Sequence, residues 1–202
     1  MKVRIKFSKH GNTRYIGHLD IMRYFQKAMR RADIPIRYSE GFSPHQIMSF
    51  AAPLGVGIES DYEILDIEIT EQVDPDTAIR RLNEVMCDGI RVLDWKYIDD
   101  NTGNAMSLVA SADYFVECDC ESLDPLNQPE IIITKESKSG DKKKVDIKPM
   151  IYKAELTGDG VFLHIAQGSA GNLKPDIIMS VLNISKYHII RKCLYDTNGL
   201  TL

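Results

Sequence analysis

The chain has no long apolar run. Nothing in its 202 residues approaches the roughly 20 consecutive apolar positions that a membrane helix needs. The opening stretch MKVRIKFSKHGNTRYIGHLD alternates too soon to hold the apolar core of a signal peptide. A cytoplasmic location with no membrane partner is the expectation. Cysteine is scarce, and Cys87, Cys118, Cys120 and Cys193 are too scattered for a disulfide framework. Cys118 and Cys120, if on a strand, would share a face and could share a metal. No second pair or histidine stands at finger spacing, so no metal is expected and semi-buried thiols are the plainer reading. Also missing are G-x-G-x-x-G, H-E-x-x-H, G-x-S-x-G and a C-x3-C-x2-C motif. The common cofactor and hydrolase readings lose support, and no cofactor is expected on this chain.

What is present is an ordinary folding composition, 44% hydrophobic and 27% charged, enough to bury a core in one or two domains. The net charge of -4 hides an asymmetry. Residues 1–50 hold ten Lys and Arg against three Asp and Glu, a balance of +7, whereas the remainder holds fifteen against twenty-six, or -11. A basic segment on an acidic body suggests one face meant for phosphate or an acidic partner.

Residues 2–8, KVRIKFS, alternate as a half-buried strand should, with Val3, Ile5 and Phe7 on one face. From His18 to Ala32, Leu19, Met22, Phe25, Met29 and Ala32 recur at spacings of three and four and predict an amphipathic helix. Asp20 in its first turn and Arg30-Arg31 in its last agree with the helix dipole. A turn-rich loop, Tyr38 to Pro44, leads to a strand over Gln46 to Ala52. A further strand follows over Tyr62 to Thr70, where the phase of Ile64, Ile67 and Ile69 leaves the inward face ambiguous. Asp74-Pro75-Asp76 opens a second helix reaching about Met86, and Ile90 to Tyr97 makes another strand. The order β-α-β-β-α-β is the ferredoxin-like arrangement.

The second half repeats the theme in degenerate form. Ala110 to Cys118 reads as a strand, Ser122 to Gln128 as a short connection and Ile131 to Lys135 as a strand, followed by a hydrophilic excursion. A hairpin around Gly158-Asp159-Gly160, a helix over Lys174 to Leu182 and a last strand over Tyr187 to Tyr195 complete it. The fold expectation is therefore α+β: two ferredoxin-like halves, residues 1–98 and 108–202, of antiparallel sheet with helices on one face. The run KESKSGDKKK, residues 135–144, reads either as a nucleic-acid arm or as a solvated hairpin tip.

Reactive side chains are densest around the first strand-to-helix connection, where Ser8, Lys9, His10, Arg14, His18, Asp20 and Arg23 bracket a helix start suited to an anion. Arg23, Lys27 and Arg30 fall at i, i+4 and i+7 on one helix face. A nucleic-acid backbone could lie along that face, although exposed cations also serve solubility alone. Tyr15, Tyr24 and Phe42 are possible stacking partners. The loop Glu40-Gly41-Phe42-Ser43-Pro44-His45 is a second constellation. If it faced the first, His18, His45 and Asp20 would bring two imidazoles and a carboxylate together, suited to acid-base cleavage of RNA or to a metal. Near the end, Gly168 to Pro175 is a glycine-bearing loop entering a helix. It is not a P-loop, because Lys174 precedes proline rather than Ser or Thr.

The string Arg4 to Phe7, Lys9, Gly11, Arg14-Tyr15-Ile16-Gly17-His18-Leu19-Asp20 and Arg23 resembles the uncharacterised radical-SAM-linked protein family. So do Arg30-Arg31-Ala32, Ile34-Pro35, Ser39 to His45 and Phe50-Ala51, and Gly171-Asn172-Leu173-Lys174-Pro175 is similar to its C-terminal motif. Members stand beside, or fused to, a radical SAM enzyme that often carries a cobalamin-binding region. The resemblance implies a partner rather than an activity: a radical SAM enzyme in trans that itself holds the iron-sulfur cluster, the S-adenosylmethionine and any cobalamin. Gly17 stands where the family usually shows serine, and Ser43 and Gln46 where it often shows asparagine and proline. At fold level the chain also resembles, more weakly, the tandem ferredoxin-like RNA-binding proteins of the CRISPR repeat-processing class.

The leading expectation is an accessory module that binds RNA and presents it to that enzyme. Lys9, Arg14, Arg23, Lys27 and Arg30 would contact phosphate, and His18, Asp20 and His45 would orient a base or complete the partner's pocket. Gly41, Phe42, Pro44, Gly171, Asn172 and Lys174 mark the motif loops. A metal-independent endoribonuclease using His18 or His45, and a domain that only docks a protein, are the alternatives.

Overall fold

Alternation and helical spacing set the first elements. In the computed structural model, which describes residues 1–136 and 142–202, β1 (Lys2–Lys9) buries every second side chain. Helix α1 (His18–Arg31) lies against it and buries Ile21, Phe25, Ala28 and Met29. The apolar stripe is thus turned from the one read in the sequence: Leu19 is 62% exposed and Ile21 points inward. Phe25 decides this rotation. Its ring centroid lies 4.7 Å from that of Phe7 and 5.7 Å from that of Phe50, and truncating an aromatic side chain so enclosed costs about 3–5 kcal/mol.

Strand β2 is shorter than the sequence suggests, covering only Met48–Phe50, while β3 (Glu59–Glu68) begins earlier. Helix α2 (Pro75–Val85) starts with the Asp74 carboxylate accepting from the Thr77 N-H at 2.9 Å, as an N-cap should. Strand β4 (Ile90–Ile98) follows, and a single helical turn, α3 (Ala105–Leu108), leads into β5 (Val109–Glu117). The hydrophilic excursion is bounded by a separate two-stranded hairpin of β6 (Ile132–Glu136) and β7 (Lys142–Asp146). Residues 137–141 of the basic run lie outside the described residues. Strands β8 (Ile151–Thr157) and β9 (Gly160–Ala166), helix α4 (Pro175–Val181) and strand β10 (His188–Asp196) finish the chain.

The result is a mixed α+β structure built on one open, eight-stranded sheet in the order β4-β1-β3-β10-β5-β9-β8, with β2 on β3. Every pairing in it is antiparallel except β3 with β10. One edge of β3 is taken by β1. The other is divided: Leu65 to Ile67 pair with β2, whereas Glu59 and Ser60 pair with Ile190 and Arg191 of β10. A single sheet therefore runs through both parts of the chain, joined at a short parallel seam.

Two apolar clusters flank the seam, one gathering Phe7, Phe25, Leu65, Ile67 and Ile69, the other Val116, Leu163, Ile178 and Ile189. The phase shift in β3 now has a cause. Ile64 points to the opposite face from Leu65 and Ile67 and belongs to the second cluster, so this strand is buried on both faces. Among the described residues no helix is long and apolar enough to cross a membrane.

Candidate functional site

The β1–α1 connection is pinned from within. Lys9 ends β1 on its buried face and is 3% exposed; its ammonium donates to the Ile16 carbonyl at 3.0 Å and to that of Arg14 at 3.4 Å. Burial pushes its pKa down, the Glu63 carboxylate opposes that, and the Arg191 charge reinforces it. Residues 11–15 form a 3-10 turn tied to the start of β4. The His10 N-H donates to the Gly89 carbonyl at 2.7 Å and the Thr13 hydroxyl to that of His10, also at 2.7 Å. Gly89 permits this approach: its φ is +91°, and a Cβ there would stand 2.4 Å from the His10 carbonyl oxygen.

At the seam, the charged residues of β3 and β10 meet those of this turn. The Glu59 carboxylate accepts from the Gly11 N-H at 3.0 Å and from Arg14 Nη1 at 3.2 Å, and contacts His10 Nδ1 at 3.0 Å. His188 Nε2 lies 3.3 Å from Arg14 Nη1 and 3.6 Å from Glu59. Asp61 bridges His10 Nε2, at 3.0 Å, and the Lys192 ammonium, while His188 Nδ1 reaches Glu117 at 3.2 Å. Burial works to raise the Glu59 pKa, but hydrogen bonds from His10 and Gly11, with the His188 and His10 charges, outweigh it and hold the carboxyl below its usual range. These carboxylates and imidazoles alternate with cations in a chain rather than converging. Among the described residues no group of three or more His, Cys, Asp and Glu is placed to hold a metal ion.

Deeper in the seam, Arg191 is 1% and Glu63 3% exposed. Arg191 Nε and Nη2 donate to the Glu63 carboxylate at 2.5 to 2.9 Å, and Nη2 also to the Ala52 carbonyl at 2.6 Å. Desolvation alone would lower the Arg191 pKa; the Glu63 charge beside it, with Tyr114, raises it instead. The loop over residues 53–57 covers this pair. It separates a cleft of only about 10 Å³ lined by Lys9, His18, Phe50, Leu54 and Glu63 from a cavity of about 180 Å³ lined by Tyr114, Gln167, Asn172, Lys174, Asp176 and Arg191. The Gly57 N-H donates to the Arg14 carbonyl at 2.9 Å, tethering the loop to the β1–α1 turn.

The residues singled out in the sequence divide between inside and outside. Lys9 is internal and Arg14 is engaged by Glu59 and by the Tyr15 hydroxyl, at 2.9 Å. Arg23, Lys27 and Arg30 are all exposed along α1, Arg23 with Asp20 at 3.3 Å. His18 packs edge-on against Phe50, with ring centroids 5.2 Å apart. His45 instead holds its own loop closed: Nδ1 lies 2.9 Å from the Ser39 hydroxyl, which also accepts from the His45 N-H at 3.1 Å. The two imidazoles line different cavities, so the arrangement sought for acid-base cleavage is not assembled.

Around His45 the loop presents Gly41, at φ +108°, and Phe42 and Pro44, all exposed. Phe42 projects fully into solvent and Tyr38 is 44% exposed. A cavity of about 190 Å³ lined by Gln26, Arg30, Tyr38, Pro44, His45 and Gln46 joins this loop to the cationic face of α1. Cys118 and Cys120 lie beyond the end of β5 rather than within a strand, with their thiols on the Val116 and Ser122 carbonyls.

Sequence reasoning missed Glu59, Asp61, Glu63, His188 and Arg191. A signal existed: Glu63 and Arg191 interrupt apolar strand runs, and charges so placed are buried only when paired. Which charge meets which is a matter of strand pairing, and that is not written locally.

A family model described as an uncharacterized protein conserved in bacteria (DUF2344) matches residues 2–175. The match takes in the β1–α1 motif, the 39–45 loop and Gly171 to Pro175, and ends before His188 and Arg191. No curated protein matches the sequence.

Proposed function

We propose that this chain, which belongs to the bacterial family of uncharacterised proteins DUF2344, is an RNA-binding accessory module presenting a nucleic-acid substrate to a radical SAM enzyme acting in trans. The observation that carries the RNA part is a surface. Arg23, Lys27 and Arg30 are exposed along α1, and Arg30 lines the 190 Å³ cavity with Tyr38, Pro44 and His45 of the loop that also bears the solvent-projecting Phe42. Cations that follow a phosphate backbone beside aromatic rings that stack on bases are what a single strand requires. Lys9 and Arg14 then act from behind, setting the start of α1. The partner enters through the resemblance of the Arg4–His45 and Gly171–Pro175 motifs to the radical-SAM-linked family. That enzyme would carry the iron-sulfur cluster, S-adenosylmethionine and any cobalamin.

The same reading treats residues 1–98 and 108–202 as two ferredoxin-like halves of a cytoplasmic protein. Its support is the strand order, β4-β1-β3-β2 on one side of the seam and β10-β5-β9-β8 on the other. In the second half the 3-10 turns and the β6–β7 hairpin replace the first helix.

The test is binding of cellular RNA to the purified chain across a salt series, beside the triple variant Arg23→Glu, Lys27→Glu and Arg30→Glu. Salt-sensitive binding, lost in the variant with the RNA intact, is the expected result. Unchanged affinity in the variant would sink the proposal. Cleavage without any cofactor would favour the nuclease alternative.

A further inference from the structure

The covered cavity at the seam is rich in hydrogen-bond donors, and its lining belongs to none of the surface just described. Gln167 is 9% exposed, and its Oε1 accepts from the Tyr114 hydroxyl at 2.8 Å. That bond fixes the amide so that Nε2 is left as a donor, and it makes no hydrogen bond to a described residue. The side chain is buried all but for this end, so the free N-H is offered to whatever occupies the cavity, water included. Beside it stands Arg191, whose Nε and Nη2 are taken by Glu63 and Ala52 and whose guanidinium also meets the Tyr114 hydroxyl, the same hydroxyl that holds Gln167. The Asn172 amide and the Lys174 ammonium complete the wall, also without partners among the described residues. The single carboxylate of the lining, Asp176, accepts from the Tyr187 hydroxyl at 3.2 Å. Glu63, behind, is neutralised by Arg191.

We infer that this cavity binds a phosphate group. Donors reach it from the end of β9 (Gln167), from the loop before α4 (Asn172, Lys174) and from β10 (Arg191). That spread suits the several oxygens of a tetrahedral phosphate better than the two of a planar carboxylate. Its volume of about 180 Å³ falls below the roughly 300–1,000 Å³ of pockets for drug-sized ligands, so the phosphate is what is enclosed and anything esterified to it lies outside. Pro53, Leu54, Gly55 and Val56 of the 53–57 loop line the cavity's other side. The inference stands apart from the RNA-binding surface on α1. It gives a physical role to Asn172 and Lys174, which strand and helix pattern alone leave unexplained.

The probe is inorganic phosphate, titrated into the ¹⁵N-labelled full chain while the Gln167 side-chain NH₂ and Arg191 Nε-H signals are followed. Saturable shifts of both are expected, weakened at least about tenfold in Lys174→Ala, since a charged hydrogen bond is lost, and unchanged in Lys27→Ala. Lys174 is exposed, so its removal leaves the fold intact. Gln167→Leu is a second variant expected to abolish the Arg191 shift. Absence of saturation at millimolar phosphate, shifts indifferent to Lys174→Ala, or acetate binding as tightly as phosphate would each overturn the inference. Oligonucleotides with and without a 5′-phosphate identify the source. Preference for the phosphorylated end places a polynucleotide terminus in the cavity, and equal behaviour with full response to inorganic phosphate assigns it to a small phosphate compound.

Discussion

Two charged regions of this protein use the same residue types to opposite ends. At the seam, Arg191, Glu63 and Lys9 are each at most 3% exposed, and every charge there is committed to another or to a backbone carbonyl. On α1, Arg23, Lys27 and Arg30 stand in water, and among the described residues the flanking Asp20, beside Arg23, is their one partner. Buried pairs are expensive to assemble and more expensive to break, because the surviving partner cannot be resolvated. Exposed cations contribute little to stability and remain free to meet an external anion. The seam therefore holds the two parts of the sheet in register, and the helix faces outward.

Removing a seam charge should have the largest effect. Glu63→Ala leaves Arg191 buried and unpaired and should destabilise the chain by about 3–5 kcal/mol in urea unfolding. The double variant Glu63→Leu with Arg191→Met should recover most of that loss. A single variant within about 0.5 kcal/mol of the native chain, as for an ordinary surface change, would show the seam to be no different from the surface. Next in size is the loss of stacking. Phe42→Ala should weaken RNA binding by about 1–3 kcal/mol with no change in unfolding midpoint, because the ring is fully exposed. Arg23→Ala with Arg30→Ala should lower the slope of log affinity against log salt by about 1.4 for single-stranded RNA, each phosphate contact contributing about 0.7. Stability should again stay put.

The smallest effect concerns acid. The Glu59 carboxyl is held below its ordinary value of 4.5, so its contribution is present in full above that pH and is lost as pH falls through the folded value. Glu59→Gln should flatten the unfolding curve in that window and leave RNA binding at neutral pH unaffected. An identical acid limb in the variant would remove Glu59 from the account.

Much of the local structure was legible beforehand because periodicity and capping act over a few residues. Lys2 to Lys9 alternate, Asp74-Pro75 opens α2, and Gly158-Asp159-Gly160 turns a hairpin between β8 and β9. Even the exposed cations of α1 follow from spacing. The rotation of that helix did not, since Leu19 and Ile21 are equally apolar and only the rings of Phe7 and Phe50 choose between them.

What the sequence determined alone, then, is the order of elements, the basic character of the first fifty residues and the candidate cations at helical spacing. Tertiary structure decided the rest: that β3 divides its free edge between β2 and β10, that Ile64 joins a different core from Leu65, and that Lys9 turns inward. It also decided that Glu59, Asp61 and Glu63 meet His188, Lys192 and Arg191 from more than a hundred residues away. The reason is range. Backbone preference and amphipathic pattern are read from neighbours in the chain, whereas a buried charge finds its partner only when strands distant in sequence close on one another and water is excluded between them.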